Sequence, residues 1–372
     1  MIYLDNAATT KPSPGTVAMA ERILEAEYFN PSALYYPGVA LRNEIEKTRE
    51  KIADKLGCKT GEIVFTSGAT EANNWVMSKG IKNKRGNIVI SEGEHPSVYE
   101  PAMSVKGQGT TVRIAPLSKD GTVDGQKLLE LIDADTTLVS VMHVSNETGA
   151  VNDVKSLSKS VKAINPRTLF HSDGVQAFCK TPIALGGSDI DLYSISAHKI
   201  GGLKGVGALY IKNGINLAPL IFGGGQEKNL RSGTENVMSI LSFGTAISDF
   251  DDSSVPKCYE RAIDLLSNAD GFLINGSAEH SSRFIISVGI SGVKSEILQH
   301  LLSDQGILVG TGSACSSKTK KNRTLESMKV EKKYADGNIR ISFSPTSTPE
   351  ETARAIKIII DTADKLRSKI HG

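Results

Sequence analysis

The amino-acid sequence predicts an α/β protein: a large domain on a mainly parallel sheet flanked by helices, followed by a smaller α/β unit. Three observations predict it. From Glu62 to Ser172 short strand-like runs alternate with helix-like ones, the pattern of right-handed βαβ units with parallel pairing. Asp251-Asp252-Ser253-Ser254-Val255-Pro256 reads as a linker and divides the 372 residues into two unequal parts. Polar residues also recur just past the predicted strands, the rim where open parallel sheets bind ligands.

Taken in order, residues 1–37 read as irregular apart from a helix ending near Tyr28, with a turn at Asn30-Pro31-Ser32. Residues 39–56 place Leu41, Ile45, Ile52, Ala53 and Leu56 near one face, which predicts an amphipathic helix stopped by Gly57. The alternation then runs strand 62–66, helix 69–79, strand 87–91, helix 96–105, strand 111–115, helix 124–132, strand 137–144, helix 153–163 and strand 168–172. Two more strands, 189–195 and 208–211, bracket Ser196-Ala197-His198-Lys199 and a glycine run, and a helix follows over 235–250. Beyond the linker the expectation is helix 257–268, strand 283–289, helix 295–304, strand 307–310, a long loop, strand 338–343 and helix 349–368. A short helix near 325–328 interrupts the loop.

Composition excludes several classes. Lysine and arginine total 43 against 41 acidic residues, so the net charge of +2 offers no argument for nucleic acid. No apolar run is long enough to span a bilayer, and the N-terminus lacks the basic region and apolar core of a signal peptide. The cysteines, at 58, 179, 258 and 315, show no C-x-x-C spacing. Neither a metal nor a disulfide framework is expected, and a reducing cytoplasm fits. Cys58, Cys179 and Cys258 lie in or beside predicted elements and read as core filler.

Lys199 sits where a strand stops and the backbone bends, beside a histidine and a serine. A lysine that forms an imine needs such company, because its amine must be held still and partly desolvated to be neutral near pH 7. The expectation is that Lys199 carries a cofactor aldehyde. Gly68-Ala69-Thr70 opens a helix after a strand, where free N–H groups suit a phosphate; the alternative is an ordinary helix cap. Asp173 at the end of a buried strand needs a partner, for which a pyridinium nitrogen would serve as well as a local turn, and Gln176 is within reach of the same ligand. His95 follows a strand and offers a flat ring for stacking or proton transfer, though a lone loop histidine often does neither. Asn146 fits a ring oxygen, a carboxylate or simply a turn. Arg340 alternates with apolar residues on a short strand, so it grips a carboxylate in the cleft or lies on the surface. Cys315 stands among small residues, with Lys318, Lys320, Lys321 and Arg323 close behind to favour its thiolate. That predicts a mobile, exposed loop with a reactive cysteine, or a solvated basic loop with an incidental thiol.

As a set these residues resemble a family. Tyr3-Leu4-Asp5-Asn6-Ala7-Ala8-Thr9-Thr10, Thr66-Ser67-Gly68-Ala69-Thr70-Glu71-Ala72-Asn73-Asn74 and Ser196-Ala197-His198-Lys199 carry the resemblance. So do Gly223-Gly224-Gly225-Gln226-Glu227, Arg231-Ser232-Gly233-Thr234-Glu235-Asn236 and Gly312-Ser313-Ala314-Cys315. Nearly end to end, the chain resembles the group I, NifS/IscS-like cysteine desulfurases, within the class-V aminotransferases of fold-type I pyridoxal-phosphate enzymes. The resemblance implies a PLP-binding domain over 15–250 and a small domain from 1–14 and 251–372 that carries the cysteine loop. It implies that Lys199 bonds to the cofactor aldehyde and serves as base, Asp173 holds the pyridinium nitrogen, Gln176 bonds the ring hydroxyl, and His95 stacks and assists proton transfer. Ala69, Thr70, Ser196 and His198 would bind the phosphate. Thr234 would reach that of the neighbouring subunit, which implies a homodimer. Asn146 and Arg340 would bind the carboxylate of L-cysteine, and Cys315 would accept its sulfur as a persulfide, leaving alanine.

The chain departs from the family pattern at Tyr35, where relatives usually carry histidine, and at Leu203, where many have proline. Longer relatives dock an iron–sulfur scaffold through a C-terminal extension; this chain stops at Gly372, so the acceptor is as open to a tRNA-thiolation enzyme or another sulfur carrier. The rival readings are a selenocysteine lyase or aminotransferase of the same fold, and an inactive homologue acting as a scaffold. An aminotransferase would not need Cys315, and the intact set Lys199, Asp173, His95 and Cys315 argues against decay.

Overall fold

Burial along the strands explains the larger sheet. The computed structural model describes residues 1–80, 86–106, 108–312 and 322–371. In it β2 (Ile63–Thr66), β3 (Asn87–Ser91), β5 (Thr136–Ser140), β6 (Leu169–Asp173), β7 (Leu192–Ser196) and β8 (Gly207–Ile211) are buried along nearly their whole length. Strands buried on both faces are what a helix-covered sheet requires. With half-exposed β4 (Thr111–Ala115) at one edge, the strand order is β2-β8-β7-β6-β5-β3-β4.

The two-residue period of the strands sorts their side chains between two cores. Val64, Ile88, Ile90, Leu138, Leu169, Leu192 and Leu209 meet Trp75 and Val76 of α3 (Ala69–Lys79) and Val98 of α4 (Pro96–Lys106). Phe65, Val89, Val139, Phe170 and Tyr193 face the other way. They meet α2 (Tyr36–Leu56), α5 (Gly125–Glu130), α6 (Val154–Ile164) and α7 (Val237–Asp249), and α1 (Pro14–Glu25) adds Ile23 to the same core. Helix α2 ends as its sequence implies, at Gly57 in the left-handed conformation, φ 59°.

Pairing is parallel from β7 to β4, but β8 runs antiparallel to both β7 and β2. The link between β7 and β8 is too short for a crossover, so the two strands flanking Lys199 can only reverse. Strand β5 stops at Ser140 rather than running on to residue 144; past it Val141 and His143 still donate to the His171 and Asp173 carbonyls, and the Met142 N–H goes to a Glu94 carboxyl oxygen at 2.6 Å.

A second sheet has the order β1-β11-β12-β10-β9, from β1 (Ile2–Leu4), β9 (Phe272–Asn275), β10 (Ile285–Ile290), β11 (Ile307–Thr311) and β12 (Ile339–Ser342). Its core draws on α8 (Val255–Ser267), α9 (Ser295–Asp304) and α12 (Pro349–His371). The N-terminus, expected to be irregular, thus contributes a strand parallel to β11. Three residues are too few to show a period, as are the four of β9 and of α11 (Lys332–Ala335). Helix α10 (Arg323–Ser327) falls close to the expected short helix. The core-filler reading holds for buried Cys258, and half-buried Cys58 and Cys179 pack against the edge of the larger core. Cys179 sits in a turn with φ 63°. Among the described residues no helix is long and apolar enough to cross a membrane.

Where β8 passes the start of α3 the backbones nearly touch. A Cβ at Gly207 would lie 2.5 Å from the Ile195 carbonyl and 2.8 Å from the Gly68 Cα, both main-chain atoms. We expect Gly207→Ala to destabilise the fold by about 1–3 kcal/mol, the range for overpacking, seen as a lower urea midpoint at unchanged slope.

Candidate active site

The polar rim residues converge on one cavity of about 460 Å³. The ends of the parallel strands, the first turn of α3, residues Ala7 and Ala8, and Arg340 of β12 line it. Ala69, Thr70, His95, Asn146, Asp173, Gln176, Ser196, His198, Lys199 and Arg340 all face it, as the sequence reading expects. Thr234 is exposed and does not line this chain's cavity. Cys315, with Lys318, Lys320 and Lys321, lies outside the described residues.

Lys199 ends a single 3-10 turn, Ala197–Lys199, that follows β7. Its Nζ donates to the Ala7 and Ala8 carbonyls at 2.5 and 2.7 Å. Burial, and then the positive charge of Arg340, push its pKa from 10.5 down to about 8, against the pull of Asp173 and Asp5. Its neighbour His198 contacts the Thr9 hydroxyl through Nδ1 at 3.2 Å. Burial and the lysines at 199, 204 and 180 lower that imidazole to about 4, so it is neutral at pH 7.

Asp173 ends β6 in a buried position. One carboxylate oxygen accepts from Asn73 Nδ2 at 2.8 Å and the other from the Val175 N–H at 3.0 Å. Gln176 donates through Nε2 to Ala7 O at 2.9 Å, the carbonyl Lys199 also uses. His95 stands just before α4, and burial lowers its pKa. Arg340, nearly buried, donates from Nη1 to the Asn146 carbonyl at 2.9 Å and from Nη2 to Asp5 Oδ1 at 2.7 Å. Its Nε is buried with no hydrogen-bond partner among the described residues.

Four residues that the sequence reading passed over belong to this site's framework. Asp5 orients Arg340, Asn73 holds Asp173, and Ser97 holds His95. The buried Glu94 carboxyl is pushed up to about 8, mainly by burial and then by Asp173. Asp5 and Asn73 stood inside motifs already singled out. Ser97 and Glu94 flank His95 in sequence, but nothing local tells a framework residue from a loop residue.

The fold and the cavity are those of an enzyme that acts on amino compounds. The chain belongs to the class-V aminotransferase family, whose profile matches residues 2–354. The family's enzymes work with pyridoxal phosphate. Within it the chain is similar to the cysteine desulfurase IscS of Dictyoglomus turgidum, 35% identical over 380 residues that cover 99% of this chain and 95% of the relative. Among solved structures, a NifS-like protein superposes with a TM-score of 0.90 at 34% identity, covering 98% and 99% of the two chains. SspA in complex with cysteine superposes at 0.82 with 30% identity, covering 93% and 99%.

The lowered lysine yields a direct prediction. In protein stripped of small molecules, acetylation of Lys199 should reach half its limiting rate near pH 8, because only the neutral amine reacts and it forms above its pKa. Arg340→Met removes a positive charge and should move that midpoint upward, as read by mass spectrometry of the Lys199 peptide.

Proposed function

We propose that this chain is a homodimeric cysteine desulfurase that takes the sulfur of L-cysteine onto Cys315 and releases L-alanine, using pyridoxal phosphate. The observation that carries the reading is the meeting of Lys199, Asp173, His95 and Arg340, from distant parts of the sequence, in one cavity. The family and its desulfurase relatives support it.

The residues present fit the cofactor. A half-buried lysine of lowered pKa suits an aldehyde, and a buried carboxylate suits a ring nitrogen. The first turn of α3 at Ala69 and Thr70 offers N–H groups without intrahelical partners to a phosphate. Ser196 and neutral His198 would add hydrogen bonds there and Gln176 would take the ring hydroxyl, while exposed Thr234 would serve the partner's phosphate. When bound, pyridoxal phosphate supplies an electron-withdrawing ring that stabilises negative charge beside the substrate nitrogen.

The chain's own groups do the rest. Arg340, held by Asp5, and the Asn146 side chain bind the substrate carboxylate and fix its orientation. Lys199, neutral in part at pH 7–8, takes the α-proton. His95, which lines the same cavity, would assist proton transfer to the substrate. The Cys315 thiolate then bonds to the substrate sulfur as the carbon–sulfur bond breaks; the bonding pair stays with carbon, which is protonated to alanine's methyl group. Enzyme thiol plus cysteine gives enzyme persulfide plus alanine, so no outside oxidant or reductant is needed. An iron–sulfur scaffold or a tRNA-thiolation enzyme would then receive the sulfur, in a reducing cytoplasm that keeps Cys315 a thiol.

The test supplies L-cysteine and a reductant and measures alanine and sulfide together. Wild type should make both in equal amounts. Lys199→Ala should lose at least about a hundred-fold in rate, the lower end for a general base, and Cys315→Ala should release little sulfide. Sulfide at the wild-type rate from Cys315→Ala would overturn the assignment of the nucleophile, and alanine without sulfide would indicate a different reaction.

A further inference from the structure

His95 is tied down on one side only. Its carbonyl accepts the Val98 and Tyr99 N–H groups at 2.9 and 3.0 Å, so it caps the first turn of α4. Its ring then turns back on the same helix: the Ser97 backbone N–H donates to Nδ1 at 3.1 Å, and the Ser97 hydroxyl lies 2.8 Å from the same nitrogen. A backbone N–H can only donate, so Nδ1 must present its lone pair and cannot carry the proton of the neutral ring. The positive end of α4 opposes a proton there as well.

The hydroxyl has a fixed neighbour. Asn73 Nδ2 donates to Ser97 Oγ at 2.8 Å and to Asp173 Oδ2 at 2.8 Å. A carboxylate only accepts, which settles which end of the Asn73 amide faces it. Ser97 Oγ, receiving from Asn73, turns its own hydrogen to His95. Three contacts of 2.8 Å thus join the imidazole to the carboxylate through residues of two different helices. The arrangement leaves Asn73 Oδ1 buried without a hydrogen-bond partner among the described residues. That is costly for a side chain with only a packing role.

We propose that Ser97 and Asn73 are positioning residues that lock His95 as the Nε2–H tautomer, so that its neutral ring meets the reacting molecule as a proton donor in fixed register with Asp173. The inference rests on the reading above, in which His95 faces the bound ring. Nδ1 is spent on α4, and the edge left for the cavity is the one that carries the hydrogen. The chain from Ser97 to Asp173 orients the ring and does not relay protons, since the Asn73 amide neither gains nor loses one.

The experiment uses purified protein with 15N-labelled histidine and long-range proton–nitrogen correlation at pH 7.5, with His95 assigned by difference from His95→Gln. Wild type should show an unprotonated Nδ1 and a protonated Nε2; a ring protonated at Nδ1, or at both nitrogens, overturns the proposal. Ser97→Ala should keep cofactor uptake, read by visible absorbance. Its kcat for alanine formation should fall about five-fold at unchanged KM, as expected from losing one hydrogen bond, and Ser97→Thr should restore it. An unchanged kcat in Ser97→Ala, or no recovery in Ser97→Thr, also overturns it. Failure of wild type to take up pyridoxal phosphate would sink the desulfurase reading while the tautomer is still read directly.

Discussion

The hydrogen bonds of residues 5–10 to both sheets are the constraint on which the cavity depends. Toward the second sheet, Asn6 donates to the Ser342 carbonyl at 2.9 Å, Ala7 N to Ser342 Oγ at 2.8 Å, and Asp5 receives Arg340. Toward the first, the Ala7 carbonyl receives both Lys199 and Gln176, and Thr10 N donates to the His198 carbonyl at 2.9 Å. Each such bond contributes only about 0.5–1.5 kcal/mol net. The strap therefore matters less for global stability than for the distance between Lys199 on one sheet and Arg340 on the other. In the proposed function a substrate held by its carboxylate at Arg340 would reach Lys199 only if that distance is kept.

Burial dominates the electrostatics of the site, and it acts on every group in the direction that removes charge. Lys199 is lowered to about 8, His198 to about 4 and Lys180, beside Gln176, to about 7, while Glu94 is raised to about 8. At pH 7 Glu94 therefore keeps its proton, and Asp173 is spared a like charge close by. Asp173 and Arg340 instead have fixed partners: Asn73 and the Val175 N–H for the one, Asp5 for the other. In the proposed function phosphate recognition would fall mainly to the dipole and N–H groups at the start of α3, since the nearby histidine is neutral.

Much of this was legible in the sequence, for identifiable reasons. The span 62–172 could be read because buried parallel strands are continuous apolar runs and their helices are long enough to show a period; α3, β3 and β4 fall where the pattern puts them. Lys199, Asp173 and His95 could be read because strand ends in such sheets face the ligand. The three residues of β1 could not, because their pairing partner lies some 300 residues on, at Ile307. Nor could the roles of Ser97 and Asn73, whose meaning is a contact between two helices. Glu227, Lys228 and Asn229 make a further case: all three have positive φ, and nothing local selects it. The Glu227 carboxylate, clamped by Arg49 at 2.7 and 2.8 Å and by the Phe65 N–H at 2.8 Å, holds that turn from outside.

In the proposed reaction Arg340 anchors the substrate and Cys315 takes its sulfur, and one strand pair of the second sheet bears on both. Arg340 of β12 lies directly opposite Gly310 of β11. A Cβ on Gly310 would come within 2.6 Å of the Asp5 carboxylate and 2.9 Å of the Arg340 guanidinium. The ion pair therefore packs on bare backbone, and β11 has to be glycine there for the anchor to sit where it does. From Gly310 the sequence reaches Cys315 in five residues. The ladder that sets the position of Arg340 thus lies within five residues of Cys315 along the chain. In the proposed reaction the nucleophile must meet a sulfur two bonds from the α-carbon of a substrate held at Arg340; five residues of chain span at most about 18 Å, so the strand that holds Arg340 also bounds the reach of Cys315.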